Sequence, residues 1–365
     1  MSTAFSSPRQ AAAFALLLAV LLALPALVAV TGWLDRRDVY PAIAWKCGPF
    51  PWIHQKIFVE TKDVDMVFLG SSHIMTAVDT PYVQQKFSEQ LGREAEVFTL
   101  GWGWPGFDAS YAVARDLLDH RRVHTLVIYD EGNRDLPHMN SSRWFRIGEN
   151  SEMLSGLPWL AQARLYGGAV LGMPRQLLSL ARPNLLEDPA RARINVWNTS
   201  FRAENPAKHR GALCSRLAYG HSPDFIPFRP AGDATPADVL AYSAETRVAF
   251  KFTGPATQPY QLHFARSLAR LCQERGTRLV VLHTPSLRER GQTSIAEREL
   301  WPEVLGAPVE IVGVPPARLF AGIPAADLPK LFLDDTHLNQ NGQEMFTPLI
   351  TPMLLKPYAA SIHHY

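Results

Sequence analysis

The chain alternates short, unbroken apolar runs with longer stretches in which apolar residues return every three or four positions. Residues 64–69 form the first such run after the N-terminus, and the lack of internal alternation predicts a strand buried on both faces. Residues 96–100, 125–129, 277–285 and 308–314 predict four more strands. Thr80 followed by Pro81 predicts a helix start with Pro at the first helical position, after which Val83, Phe87 and Leu91 share one face. A second helix is predicted from Asp108, a third carries Leu262, Ala265, Leu268 and Leu271, and a last one follows Asn339. Strands alternating with helices predict an α/β domain with a doubly wound parallel sheet. The alternation fails over 137–256, which reads as a helical and irregular insertion on a core of 63–136 and 257–358.

The N-terminus breaks the pattern differently. No residue in 11–34 is charged, and 24 helical residues span roughly 36 Å, enough for a bilayer core of about 30 Å. A cleaved signal peptide is the alternative, but its apolar part is normally only ~7–15 residues, and "LVA" at 27–29 is the best cleavage site on offer. The reading preferred here is an uncut anchor, with 1–10 a cytoplasmic arm and 35–62 an irregular lead-in. Arg9 on one side and Arg36 and Arg37 on the other decide little about topology. The arm is short and no other stretch is as apolar, so the body is expected outside the cytoplasm.

Composition narrows the class. Hydrophobic residues make up 47% and charged residues 19% of the 365, which predicts a packed globule rather than disorder. A net charge of +2 argues against a general nucleic-acid binder. Cys47, Cys214 and Cys272 have no zinc-type spacing and leave both a disulfide and three free thiols open. No metal or cofactor is expected. Charge is uneven in one place, because residues 137–230 hold twelve lysines and arginines against six acids. A solvated surface is one reading. An electropositive wall for an anionic polymer or lipid surface is the other, with Arg143, Arg146, Arg164, Arg175, Arg191, Arg193 and Arg202 expected on a lid bordering the site.

Candidate chemistry follows from the strand ends, since parallel α/β sheets bind ligands beyond the carboxyl ends of their strands. Ser71, Ser72 and His73 follow the first predicted strand. Gly101, Gly103 and Gly106 follow the second, and Asp130, Glu131, Gly132 and Asn133 the third. Asp334, Asp335 and His337 stand near the end of the chain. A hydroxyl, a base, an acid and loop amides at one edge are the parts needed for acyl transfer through a serine ester. His283 is a reserve base and Asp335 a competing orienter of His337.

These blocks resemble those of the SGNH (GDSL-type) hydrolase superfamily. Its Gly-Asp-Ser block stands here as Gly70-Ser71-Ser72, and its Asp-x-x-His block as Asp334-Asp335-Thr336-His337, followed by "LNQNG". Its second block is matched by Gly106 in "GWPGF", and its Gly-x-Asn-Asp block is echoed, one residue short, by "GNRD" with Asn133. The resemblance implies a three-layer α/β/α, flavodoxin-like fold. It implies Ser72, His337 and Asp334 as the triad, with Ser72, Gly106 and Asn133 forming the oxyanion hole. His73, Arg143 and Arg146 are candidate substrate contacts. An anchor joined to a "GSS" block is similar to bacterial membrane-anchored proteins of this superfamily that modify cell-surface polymers. These are the polysaccharide O-acyltransferases and the D-alanyl-transfer protein of teichoic acids. That likeness implies a periplasmic enzyme on the inner membrane, a polysaccharide acceptor and a membrane-bound O-acyltransferase partner. An anchored esterase or lipase with the same triad, and a non-catalytic polymer-binding scaffold, remain open.

Overall fold

The computed structural model describes residues 7–40, 50–103, 106–129, 137–138, 141–145, 151–182, 259–295 and 300–362. In chain order the helices begin with α1 (Pro8–Thr31), α2 (Phe50–His54), α3 (Ser72–Ala77), α4 (Thr80–Leu91) and α5 (Phe107–His120). Next come α6 (Ser141–Phe145), α7 (Ser151–Leu154), α8 (Trp159–Ala181) and α9 (Pro259–Glu274). The last are α10 (Leu300–Leu305), α11 (Pro316–Leu319) and α12 (Gln340–Ile362). The strands are β1 (Val64–Gly70), β2 (Val97–Gly101), β3 (Val123–Tyr129), β4 (Arg278–Leu282) and β5 (Glu310–Val312). The described residues fall into two compact units. One holds α1, the turn after it and α6 to α8, and the other holds the sheet and the remaining helices.

All five strands of the sheet are parallel, in the order β2-β1-β3-β4-β5. The chain leaves β1 on one side to make β2, then returns to the other side of β1 to make β3. That reversal puts the topological switch point between β1 and β3, at whose carboxyl ends a doubly wound sheet leaves a crevice. Every residue of β1 is buried, as a run that is apolar but for Asp65 leads one to expect. Asp65 is tolerated there because its carboxylate accepts from Arg93 at 2.6 Å and from the Glu96 amide at 2.9 Å. β5 is shorter than predicted, pairing only through Glu310–Val312. Pro308 has no amide to donate to a ladder, and Gly313 passes so close to His283 that a Cβ would lie 2.9 Å from its side chain.

The helices follow the apolar periodicity. α4 starts one residue earlier than the Pro81 signal suggests, because Asp79 is the cap, its carboxylate accepting from the Tyr82 amide at 3.1 Å. α12 packs on α3 and α4, and α5 packs on α9. Val83 and Phe87 of α4 and Phe346, Ile350 and Leu354 of α12 join Met66 and Phe68 of β1 in one core. Each such buried side chain contributes ~1.5–3 kcal/mol.

The predicted irregular lead-in is partly helical. A three-residue-per-turn coil covers Arg36–Val39, and α2 runs on into a wide π turn over Gln55–Val59. Trp52 donates its indole N–H to the Thr99 carbonyl at 3.0 Å, and Arg121 donates to the carbonyls of Lys56 and Lys62 at 2.7 Å. These bonds tie the stretch from Phe50 onward to the sheet.

In the other unit, α1 is capped by the Ser7 hydroxyl, which accepts from the Gln10 amide at 3.3 Å, and it stops at Gly32 with φ +61°. It therefore starts and ends a few residues before the uncharged run. Among the described residues it is the one helix long and apolar enough to cross a membrane. Helix α8 packs on α6 and on α1, and Trp144 of α6 meets Tyr40 edge-on. Much of the described part of the predicted insertion thus groups with the N-terminal helix, while residues 183–256 lie outside the described residues.

Candidate active site

Strand β1 delivers Gly70 to the switch point, and Ser71 then serves as the extended cap of α3, so that Ser72 is the first residue of that short helix. Ser72 is only 6% exposed. Its Oγ lies 2.8 Å from Nε2 of His337, 265 positions later. Two features bring His337 there. The loop before α12 is pinched by a bridge between Phe332 and Leu338, and the Leu333 amide donates to the His337 carbonyl at 2.8 Å. Asn339 then caps α12, its Oδ1 accepting from the Gly342 amide at 3.1 Å while its Nδ2 donates to the Lys330 carbonyl at 2.8 Å. Gly342 is required here, because a Cβ would stand 2.2 Å from the Leu331 carbonyl oxygen.

Asp334 holds both the ring and the loop. Its carboxylate oxygens lie 2.8 and 2.9 Å from His337 Nδ1, and Oδ1 accepts from the amides of Thr336 and His337 at 2.8 Å each. Burial by itself would raise the Asp334 pKa. The hydrogen bond and charge of His337, together with the two amides, outweigh burial and hold it at about 2. An ionised carboxylate can only accept, so Nδ1 carries the proton and the Nε2 lone pair faces the Ser72 hydroxyl. Asp335 is oriented elsewhere. It is buried, pairs with Arg288 at 2.5 Å, and its carbonyl accepts from the Leu287 amide at 3.0 Å.

A second ring braces the base. His73 stacks on His337 with centroids 4.2 Å apart, and on Tyr129, the last residue of β3, at 4.8 Å with only 7° between planes. His73 is half-buried. Burial, followed by the charge of His337, lowers its pKa to about 3, so it is neutral around pH 7.

The other sequence candidates are placed less fully. Gly106 precedes α5 beside β2, and the next two amides, of Phe107 and Asp108, donate to Gln261 Oε1 at 2.6 and 3.3 Å. Asn133 and its neighbours 130–135, and Arg146, lie outside the described residues. Arg143 belongs to the other unit, where it is buried and donates to the Val39 carbonyl at 3.4 Å. His283 follows β4, is buried and lies 3.7 Å from the Glu289 carboxylate. The only described cysteine, Cys272, is a buried free thiol pushed up to about 12 by burial. Sequence reasoning missed Tyr129, Arg288 and Glu289. Tyr129 could have been found as the last residue of a strand at the switch point, whereas nothing in the sequence pairs Arg288 with Asp335.

Ser72 and His337 can therefore exchange a proton across one hydrogen bond, while the ionised Asp334 holds the other ring nitrogen. No protein-family model matches the chain, and no curated protein matches it.

Proposed function

We propose that this is a membrane-anchored, extracytoplasmic O-acyltransferase of SGNH type that moves an acyl group, most simply acetyl, onto a polysaccharide hydroxyl. The observation that carries the reading is the hydrogen-bonded path from Ser72 Oγ through His337 to Asp334 at the sheet's switch point. Ser72 Oγ attacks the carbonyl carbon of the acyl donor while its proton passes to His337 Nε2. The carbonyl oxygen becomes an oxyanion, for which the Ser72 and Gly106 amides and the Asn133 side chain are the proposed donors. Collapse expels the donor's leaving atom, which takes the proton from His337 and leaves an acyl ester on Ser72. The sugar hydroxyl then gives its proton to His337, attacks that ester and departs acylated, and the proton returns to Ser72. Asp334 remains ionised throughout and stabilises the imidazolium formed twice in the cycle.

In the three-layer, flavodoxin-like arrangement of this superfamily, α3, α4 and α12 would form one outer layer and α5 and α9 the other. Helix α1 would anchor the chain in a bacterial inner membrane with the sheet unit in the periplasm. A membrane-bound O-acyltransferase would supply the acyl group. The basic stretch within 137–230 would hold the polymer, and binding through it would weaken with salt. Water in place of the sugar hydroxyl gives an esterase with the same triad. Product analysis of the purified chain with an activated acetyl ester, with and without acceptor glycan, tests the reading. Acetylated glycan that requires Ser72 supports transfer, whereas free acetate alone at equal rates in both samples makes it an esterase. No turnover of any ester leaves only the scaffold.

A further inference from the structure

Helix α8 has its polarity distributed the wrong way round for a helix facing water. Its inner face, packed in the unit with α1 and α6, carries Ala161, Leu165, Ala169, Met173, Gln176 and Ser179. Its outward face, at the same three- and four-residue spacing, carries Leu160, Ala163, Gly167, Leu171, Pro174 and Leu178. Of the side chains described in α8, the one exposed polar one is Arg164, at the edge of that stripe, and Leu171 is 80% exposed. Trp159, at the start of the helix, is 77% exposed. On an ordinary surface helix these are the positions that would be polar.

The neighbours of α8 say what covers the stripe. The Tyr166 hydroxyl donates to the Leu22 carbonyl of α1 at 2.5 Å. Leu22 stands near the middle of the uncharged run 11–34. It precedes Thr31, the end of α1, by nine residues, or roughly 14 Å of helix, which is about half of a ~30 Å hydrocarbon core. Pro25 and Val28 of α1 are buried in the same unit. Further along α8, Gln176 donates to the carbonyl of Asp38, beyond the end of α1. Helix α8 therefore slants from the level of mid-span, at Tyr166, to the level of the membrane surface, at Gln176. A tyrosine hydroxyl bonded to a helix carbonyl at that depth is what a medium without water demands.

We propose that α8 is a second membrane-embedded element, lying beside α1 in the outer leaflet with its outward stripe against lipid acyl chains. This rests on α1 crossing the bilayer. Helix α8 does not itself cross, since Arg164 is exposed on it, its stem lying along apolar surface while its guanidinium keeps to polar surroundings. The chain would then hold the membrane by a span and a leaflet-deep helix together, which fixes the unit's tilt as one helix alone could not.

The test uses the full chain with Cys47 and Cys214 replaced by Ser, reconstituted in phosphatidylcholine–phosphatidylglycerol vesicles. One nitroxide is attached at Leu171→Cys, at Val20→Cys in the span, or at Glu89→Cys on the sheet unit. Collision with oxygen, which concentrates in lipid, is compared with collision with a water-soluble nickel chelate. The expected result is an oxygen-to-nickel ratio at Leu171 several-fold above that at Glu89 and close to that at Val20. If Leu171 behaves like Glu89 while Val20 stays lipid-like, α8 lies in water and the proposal is overturned with the anchor intact. A water-like Val20 overturns the crossing and the proposal together. Shielding of Leu171 from both reagents puts a second copy of the chain on the stripe, which also overturns lipid contact.

Discussion

The His73 imidazole sits between two rings, and burial lowers its pKa to about 3, so the native chain refuses a proton that an unfolded chain accepts below about 6.5. Stability from this group is therefore fully present above about pH 6.5 and is lost as pH falls towards 3. His73→Phe keeps the stack and removes the titration. Urea midpoints measured from pH 7 down to 4 should fall for the wild type and fall less for this variant. Parallel slopes would show that His73 titrates as an exposed histidine does. The same ring bears on catalysis, because it gives the His337 imidazolium a neutral aromatic face. His73→Ala should lower turnover by up to about tenfold, as loss of a ring contact of ~0.5–1.5 kcal/mol implies, while His73→Phe keeps most of it. A drop confined to acceptor KM would instead make His73 a substrate contact. At this scale the sequence was legible where spacing was local. Asp334 and His337 sit three apart, and one loop can present both. The Asp335–Arg288 pair and the Tyr129 stack join distant segments that only the sheet brings together.

The element that decides the site is the loop from Phe332 to Leu338 and the start of α12 behind it. Asn339 caps the helix and ties the preceding turn, and Gly342 lets the Leu331 carbonyl approach. Asn339→Ala should cost roughly 0.5–2 kcal/mol, the range for a lost cap. Gly342→Ala should cost more than its helix propensity would suggest, because the obstacle is backbone and cannot rotate away. Both changes should reduce activity through the position of His337, with Gly342→Ala the more severe. Thermal unfolding and ester turnover measured on the two variants check this, and an unimpaired Gly342→Ala would mean that the loop and α12 are not so tightly joined. The strands were readable because buried parallel strands carry near-continuous apolar runs, as β1, β3 and β4 largely do. The helical stretch from Phe50 to Val59 was not, since five α-helical residues followed by a π turn hold no 3.6-residue period. Helix α8 escaped the same test for a different reason, being apolar on both faces.

At the scale of the whole molecule, an apolar helix was evident from 24 uncharged residues, and the α/β class from the alternation of strands and helices. The division into units was not evident, because it joins the N-terminal helix to a segment more than a hundred residues later, and no local pattern encodes that contact. The account nevertheless turns on one bond, the ester that Ser72 should form. The most direct measurement is peptide mapping by mass spectrometry after the full chain reacts with p-nitrophenyl acetate and is quenched in acid. An acetyl group on Ser72, absent from Ser72→Ala and His337→Ala but retained in Ser71→Ala, is the result predicted. Acetylation of Ser71 instead, or a folded chain in which Ser72 never carries the group, would contradict it.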